Sequence, residues 1–209
     1  MATKKSAVKD LTNGSPVKLI LGFALPLLLG MLFQQFYSMV DTIIVGKFLG
    51  AKALAAVGST GSINFMIVGF CMGVCNGFAI PLAHKFGAGD YKGMRGFMMN
   101  AIYLSAIFAV VMTIVTVIFC MPILELMRTP ENIIDDAWMY IVIIFAGIPV
   151  TILYNLTSAI IRAMGDSKTP VYFLVMSALL NIVLDLFCIL VLKMGVAGAA
   201  LATVISQAI

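Results

Sequence analysis

Residues 17–45 read VKLILGFALPLLLGMLFQQFYSMVDTIIV, an apolar run interrupted by Pro26, the pair Gln34-Gln35, Ser38 and an aspartate at position 41. The run exceeds the roughly 20 residues needed to cross a hydrocarbon core of about 30 Å. It therefore reads as a membrane-spanning helix, with Pro26 as a kink. Asp41 is out of place in such a helix, where an aspartate near the centre costs roughly 2.5–3.5 kcal/mol on insertion scales. A second aspartate, Asp185, lies in another apolar run. A chain carries such groups where they face protein, water or an ion. The pair, accompanied by Asn, Gln and Thr, points to a site that binds cations or moves protons.

The rest of the composition belongs to the same class. Of the 209 residues, 62% are hydrophobic and 11% charged, against roughly 25% charged in soluble domains. Mean hydropathy is +1.12. Behind an N-terminal segment, 1–16, six spans follow at about 17–45, 54–83, 97–121, 133–161, 171–192 and 196–209. An all-α membrane protein of six transmembrane helices is expected. The last run is still apolar at Ile209 but rises only about 22 Å as a helix, so the chain is expected to be part of a longer protein. Lys4, Lys5, Lys9 and Lys18 ahead of the first run resemble a signal peptide. That run, however, outlasts a signal's apolar core and reaches Gln34-Gln35 without a small-residue cleavage site, so it reads as a retained helix.

Placing the N-terminus in the cytoplasm puts Lys4, Lys5, Lys9, Lys18, Lys85, Lys92, Arg95, Arg162 and Lys168 inside. Lys47, Lys52, Arg128 and Lys193 fall outside. That imbalance obeys the positive-inside rule. The net charge of +4 reflects this arrangement and not nucleic-acid binding.

Topology then sets depth. Asp41 precedes Lys47 by six residues and lies about 9 Å inside the outer end of its helix. Asp185 precedes Lys193 by eight and lies about 12 Å inside. Asn181 shares the face of Asp185 one turn away. Thr203, entering on the sixth helix from Gly195, is also about 12 Å deep, and Tyr140 on the fourth sits about one turn below the outer loop. Four helices thus deliver oxygen-bearing side chains to one level. Gln34, Gln35, Ser38 and Asn64 read more simply as polar contacts between helices.

Other features read as structural. Cys71, Cys75, Cys120 and Cys188 lie in apolar runs and read as small packing residues. Gly69, Gly73 and Gly77 repeat every fourth residue, a pattern that permits close helix contact. Pro149 marks a kink and Pro170 a helix start. Gly87-Ala88-Gly89-Asp90 spells the string of intramembrane aspartyl proteases, but it falls between His84-Lys85 and Lys92 in an inner loop, where Asp90 is solvated. Asp41 would lie near the opposite membrane face. No nucleotide loop, zinc spacing or nucleophile constellation is present, so no enzyme and no cofactor is expected.

The segment from Pro26 through Gln34-Gln35-Phe36-Tyr37-Ser38-Met39-Val40-Asp41-Thr42 to Gly50, followed by Ala53-Leu54-Ala55-Ala56-Val57-Gly58, resembles the first helix and outer loop of the multidrug and toxic compound extrusion (MATE) family. Gly87-Ala88-Gly89-Asp90-Tyr91 and Arg162-Ala163-Met164-Gly165-Asp166-Ser167-Lys168-Thr169-Pro170 resemble that family's inner loops. The resemblance implies one lobe, the N-terminal one, of a twelve-helix, two-lobe transporter built from parallel repeats. The C-terminal lobe would be the missing partner.

In the prokaryotic branch related to damage-inducible protein F, the resemblance implies a cation site at Asp41, Asn181, Asp185 and Thr203, with Tyr140 neighbouring it. Pro26, Gln34, Tyr37 and Ser38 are expected to line a cavity or form a hinge. The implied activity is antiport in a bacterial cell membrane: H⁺ or Na⁺ enters the Asp41/Asp185 pocket, and an organic, often cationic, compound leaves. Na⁺ at Asp41, Asn181, Asp185 and Thr203 is the one metal expected. Two alternatives stand beside this. A lipid-linked oligosaccharide flippase of the same superfamily would need several cavity arginines for pyrophosphate, whereas Arg162 stands alone at the inner end. A half without its partner lobe would be inactive.

Overall fold

The structure, a computed structural model, describes residues 15–209. Lys4, Lys5 and Lys9, with nearly all of the 1–16 segment, lie outside the described residues. Seven α-helices and one π-helical turn make up the fold, with no strand among the described residues.

Helix α1 runs Pro16–Gly87, 72 residues, which would rise about 108 Å if straight. Its one non-helical residue is Gly50, at φ 87° and ψ 179°, a backbone region open essentially to glycine alone. The break turns α1 into a hairpin. Gly30 and Gln34 of the first limb (16–49) line the same cleft as Val68 and Met72 of the second (51–87), so the limbs run back beside each other. The first limb extends past the predicted end at Val45 because Gly46 weakens a helix without ending it, and Lys47, Phe48 and Leu49 carry it on to Gly50. The backbone also stays helical through Pro26.

Helix α2 spans Tyr91–Ile118 and is followed by the short α3, Cys120–Leu126. The third span, expected to continue to Met121, divides at Phe119 because the ring of Pro122 opposes the carbonyl one turn before it. Helices α4 (Glu131–Ala146) and α5 (Ile148–Ala163) form one span bent by 47°. The bend falls at Gly147, two residues before the kink assigned to Pro149, which instead occupies the first turn of α5. Helix α6, Thr169–Leu186, continues into a π-helical turn, Phe187–Val191. Helix α7 is Gly195–Ala208. Counting the α1 hairpin as two and α4–α5 as one, six spans form a single helical bundle.

The bundle's core is centred on α4 and α7. Ala137, Ile141, Phe145, Ala199, Ala200 and Ala202 are almost wholly enclosed. Small residues on α7 let backbones approach closely, and a Cβ added to Gly198 would lie 3.0 Å from that of Cys188. The outer surface is apolar, with Phe65 83% exposed and Met176 69% exposed. An aqueous protein does not carry such continuous apolar faces, whereas lipid covers them at no hydrophobic cost. The Gly69, Gly73 and Gly77 stripe lies on such a face. Nothing among the described residues comes within 4 Å of where their Cβ atoms would be, so the neighbour that stripe was expected to meet is not among the helices of this bundle. The four cysteines are buried and unbridged.

Two loop acids hold helix starts. Asp90 accepts from Gly93 N at 2.8 Å and from Lys85 Nζ at 2.8 Å, and these bonds, that of Lys85 foremost, hold its carboxyl below the usual range. Asp166 sets the start of α6, which carries Asn181 and Asp185. Its Oδ1 accepts from Lys168 N at 2.9 Å and Thr169 N at 3.0 Å, and its Oδ2 from Thr169 Oγ1 at 2.6 Å. Burial pushes the Asp166 carboxyl up, but the bonds from Thr169 and Lys168 outweigh it, and the net shift is downward. A lowered native pKa gives stability that is complete above the unfolded pKa and is lost as pH falls through the native one. Asp166→Ala is therefore expected to cost about 0.5–2 kcal/mol near neutral pH. That deficit should shrink in acid, as read from thermal unfolding at a series of pH values; a constant deficit would contradict the capping role.

Candidate functional site

Helix α6 places Asn181 and Asp185 one turn apart on one face, each with 0% exposure. The first limb of α1 brings Asp41, half-buried, and α7 brings Thr203. Asn181 Nδ2 donates to Thr203 Oγ1 at 3.4 Å, and that hydroxyl donates to Ala199 O at 3.0 Å. The Asp41 and Asp185 carboxyls lie within electrostatic reach of each other. Tyr140, buried on α4, and Tyr37, one turn before Asp41, lie within reach of both. The structure thus gathers Asp41, Asn181, Asp185, Thr203 and Tyr140 in one place.

The cluster is polar and under-satisfied. Asp41 Oδ1, Asn181 Oδ1 and both Asp185 carboxylate oxygens are buried without a hydrogen-bond donor among the described residues. The ion pairs of the described residues lie elsewhere, Lys52–Asp136 at 3.3 Å and Lys85–Asp90 at 2.8 Å. Orphaned buried oxygens are rare, and an unpaired buried carboxylate is costly. A set of hard oxygens that gains its missing partner from a small cation, or a pair of carboxyls that takes up a proton, answers that cost.

Directly beside the cluster, toward the end of the bundle that carries Gly87 and Arg162, lies a cleft of about 280 Å³. Its polar lining includes Gln34, Tyr37, Asn76, Asn155, Arg162 and Gln207. The cluster and the cleft share helix faces. On α1, Tyr37 lines the cleft and Asp41 follows one turn on. On α6, Ser177 lines it and Asn181 and Asp185 follow. On α7, running the other way, Thr203 comes one turn before the cleft-lining Ser206 and Gln207. Thr151 Oγ1 lies 2.9 Å from Gln207 Oε1, and Ser177 Oγ donates to Ser206 O at 2.6 Å, tying α5, α6 and α7 together along the wall.

Of the residues expected to line a cavity, Gln34 and Tyr37 do so. Ser38 lies on another face of α1, with Gln35 and Thr42, and its carbonyl accepts from Thr42 Oγ1 at 2.8 Å. Pro26 stands next to the cleft-lining Leu27 without lining the cleft itself. The contribution of α5 went unread in the sequence. Thr151, Asn155, Ser158 and Arg162 fall at spacings of four, three and four, a polar stripe on one face of an otherwise apolar helix.

Comparison with known proteins agrees with this architecture. The MatE family profile matches residues 26–187. Two probable multidrug resistance proteins of Bacillus subtilis (strain 168), YpnP and YoeA, are 34% and 35% identical over 96% and 88% of the chain. These matches cover 45% and 41% of the two relatives, so the chain spans about half the length of the curated relatives it matches. Among solved structures, a MOP superfamily transporter from Pyrococcus furiosus superposes with a TM-score of 0.88 at 30% identity, covering 99% of the chain and 45% of that protein. An outward-facing multidrug resistance MATE family transporter gives the same values. The bundle corresponds to one lobe of that two-lobe fold.

Proposed function

The chain belongs to the MatE family, and on that premise we propose that it forms the N-terminal lobe of a secondary antiporter that exports organic compounds in exchange for H⁺ or Na⁺. The observation that carries the reading is the set of orphaned oxygens on Asp41, Asn181 and Asp185, stacked one helical turn from a polar-lined cleft. In this reading the N-terminus is cytoplasmic, the protein spans a bacterial cell membrane, and the acids lie in its outer half. A second lobe completes the transporter.

An ion arriving from outside neutralises the Asp41/Asp185 pair, with Asn181 and Thr203 as further oxygen ligands where that ion is Na⁺. Neutralisation removes the penalty of two neighbouring buried charges. Because the ion binds one access state better than the other, it shifts the population toward that state and lowers the cleft's hold on its substrate. Tyr140 and Tyr37 would orient the pair, and Gln34 would contact substrate.

Efflux by the full-length protein in proteoliposomes tests this. Transport is expected when either a proton gradient or a Na⁺ gradient is imposed alone, and the effective gradient names the coupling ion. Transport that ignores both gradients overturns the antiport reading.

A further inference from the structure

Arg162 is the one charged residue lining the cleft among the described residues. It is half-buried at the end of α5, far from the acids. Helix rise from Arg162 to Thr151, which meets Gln207, and one further turn to Thr203 separate it from the cluster by about 20 Å. It therefore serves neither Asp41 nor Asp185. Its Nη2 donates to Asn76 Oδ1 at 3.1 Å, and it makes no ion pair among the described residues. Asp166, the carboxylate nearest in sequence, is committed to the start of α6, and Asp90, in the other loop read as inner, is committed to Lys85 and Gly93. A guanidinium has five donors in a rigid fork that matches carboxylate or phosphate. Here one donor is used, and the neighbours Tyr154, Asn155 and Ser158 present further polar atoms. A half-buried guanidinium with no carboxylate partner among the described residues leaves donors for a counter-charge on the ligand.

We propose that the cleft takes an organic substrate bearing an acidic group, carboxylate or phosphate, which docks on Arg162 while the rest of the molecule points toward Tyr37. The assignment rests on the reading of the cleft as the substrate site and narrows its substrate class. The cleft is bipolar, with acids beyond one end and a guanidinium at the other, so a zwitterion aligned with it satisfies both. A purely cationic compound meets Arg162 unfavourably. One arginine suits a single acidic group, not the pyrophosphate for which several would be needed.

A matched dye pair tests this by fluorescence anisotropy on the full-length protein in nanodiscs at pH 7. Rhodamine 110 carries a free carboxylate, and rhodamine 123 is its methyl ester. The wild type is expected to bind the acid at least about tenfold more tightly, as a hydrogen-bonded charge pair warrants. Arg162→Gln should erase that preference by weakening the acid alone, and Arg162→Lys should keep part of it. A misfolded Gln variant would lose both dyes alike, in which case the Lys variant decides. Equal binding of the two dyes by the wild type, or a preference unchanged in Arg162→Gln, overturns the acidic-group assignment and leaves the cleft as a substrate site. Binding of neither dye overturns the cleft reading and this assignment with it.

Discussion

Asp41→Asn, and equally Asp185→Asn, is expected to reduce ion-driven efflux by the full-length protein to the level of empty vesicles while expression stays normal. Asparagine preserves the shape of the side chain and removes the charge that an ion neutralises. With one acid of the pair gone, an ion no longer cancels two neighbouring charges, its preference for one access state falls, and coupling is lost. Stability should move the opposite way. The Asp185 oxygens are fully enclosed and lack a donor among the described residues. The effective cost of a buried, unpaired ion is several kcal/mol. Asp185→Asn without Na⁺, at a pH high enough to ionise the wild-type acid, should therefore melt at the wild-type temperature or above it. Normal efflux in either variant would sink the site. Lost efflux together with a lowered melting temperature would mark the acids as helix contacts instead.

The largest effect on stability is expected at Gly147, the bend between α4 and α5. A Cβ placed there would collide with the side chain of Val204 and lie 3.2 Å from the Ile144 carbonyl oxygen. Both sides of this contact are core, since Ile144, Phe145 and Ile148 are buried around it. Overpacking of this kind costs typically 1–3 kcal/mol. Gly147→Ala should therefore lower the melting temperature clearly. Val204→Ala, costly by itself through the cavity it leaves, should suppress much of the defect when combined with it. A double-mutant cycle reads the coupling; strictly additive effects would show that the two positions do not meet.

The aspartates and the apolar runs were legible in the sequence because charge in a membrane helix is an energetic anomaly that needs no three-dimensional context. Shared depth followed from helix rise together with the topology set by the basic residues, which is why Asp41, Asn181, Asp185, Thr203 and Tyr140 could be placed at one level from the sequence. What helix faces meet was harder to read. In a span that is apolar all round, periodicity does not distinguish a lipid-facing side from a packed one. The stripe at Gly69, Gly73 and Gly77 shows the ambiguity: small residues allow a neighbour to approach, but they do not supply one. Ser38 misled for a related reason, since one residue along from Tyr37 is about 100° around the helix. The stripe on α5 was legible in principle, yet Arg162, set at the helix end, reads as an ordinary interfacial cation until the cleft beside it is seen. Proline lay near two of the departures from straightness, but the bend appeared at Gly147 and the break at Phe119, each upstream of the ring that opposes its own preceding turn, and the break at Gly50 has no proline beside it.

Tyr37 belongs to both halves of this arrangement: its ring walls the cleft, and it stands within reach of Asp41 and Asp185. In the proposed antiporter, a side chain shared in this way would make ion and ligand partners in a single thermodynamic cycle. Whatever factor the ion imposes on the affinity for the cleft's ligand, that ligand must impose on the affinity for the ion. The reciprocity carries no direction of its own, and the gradients across the membrane alone decide which occupant drives the other.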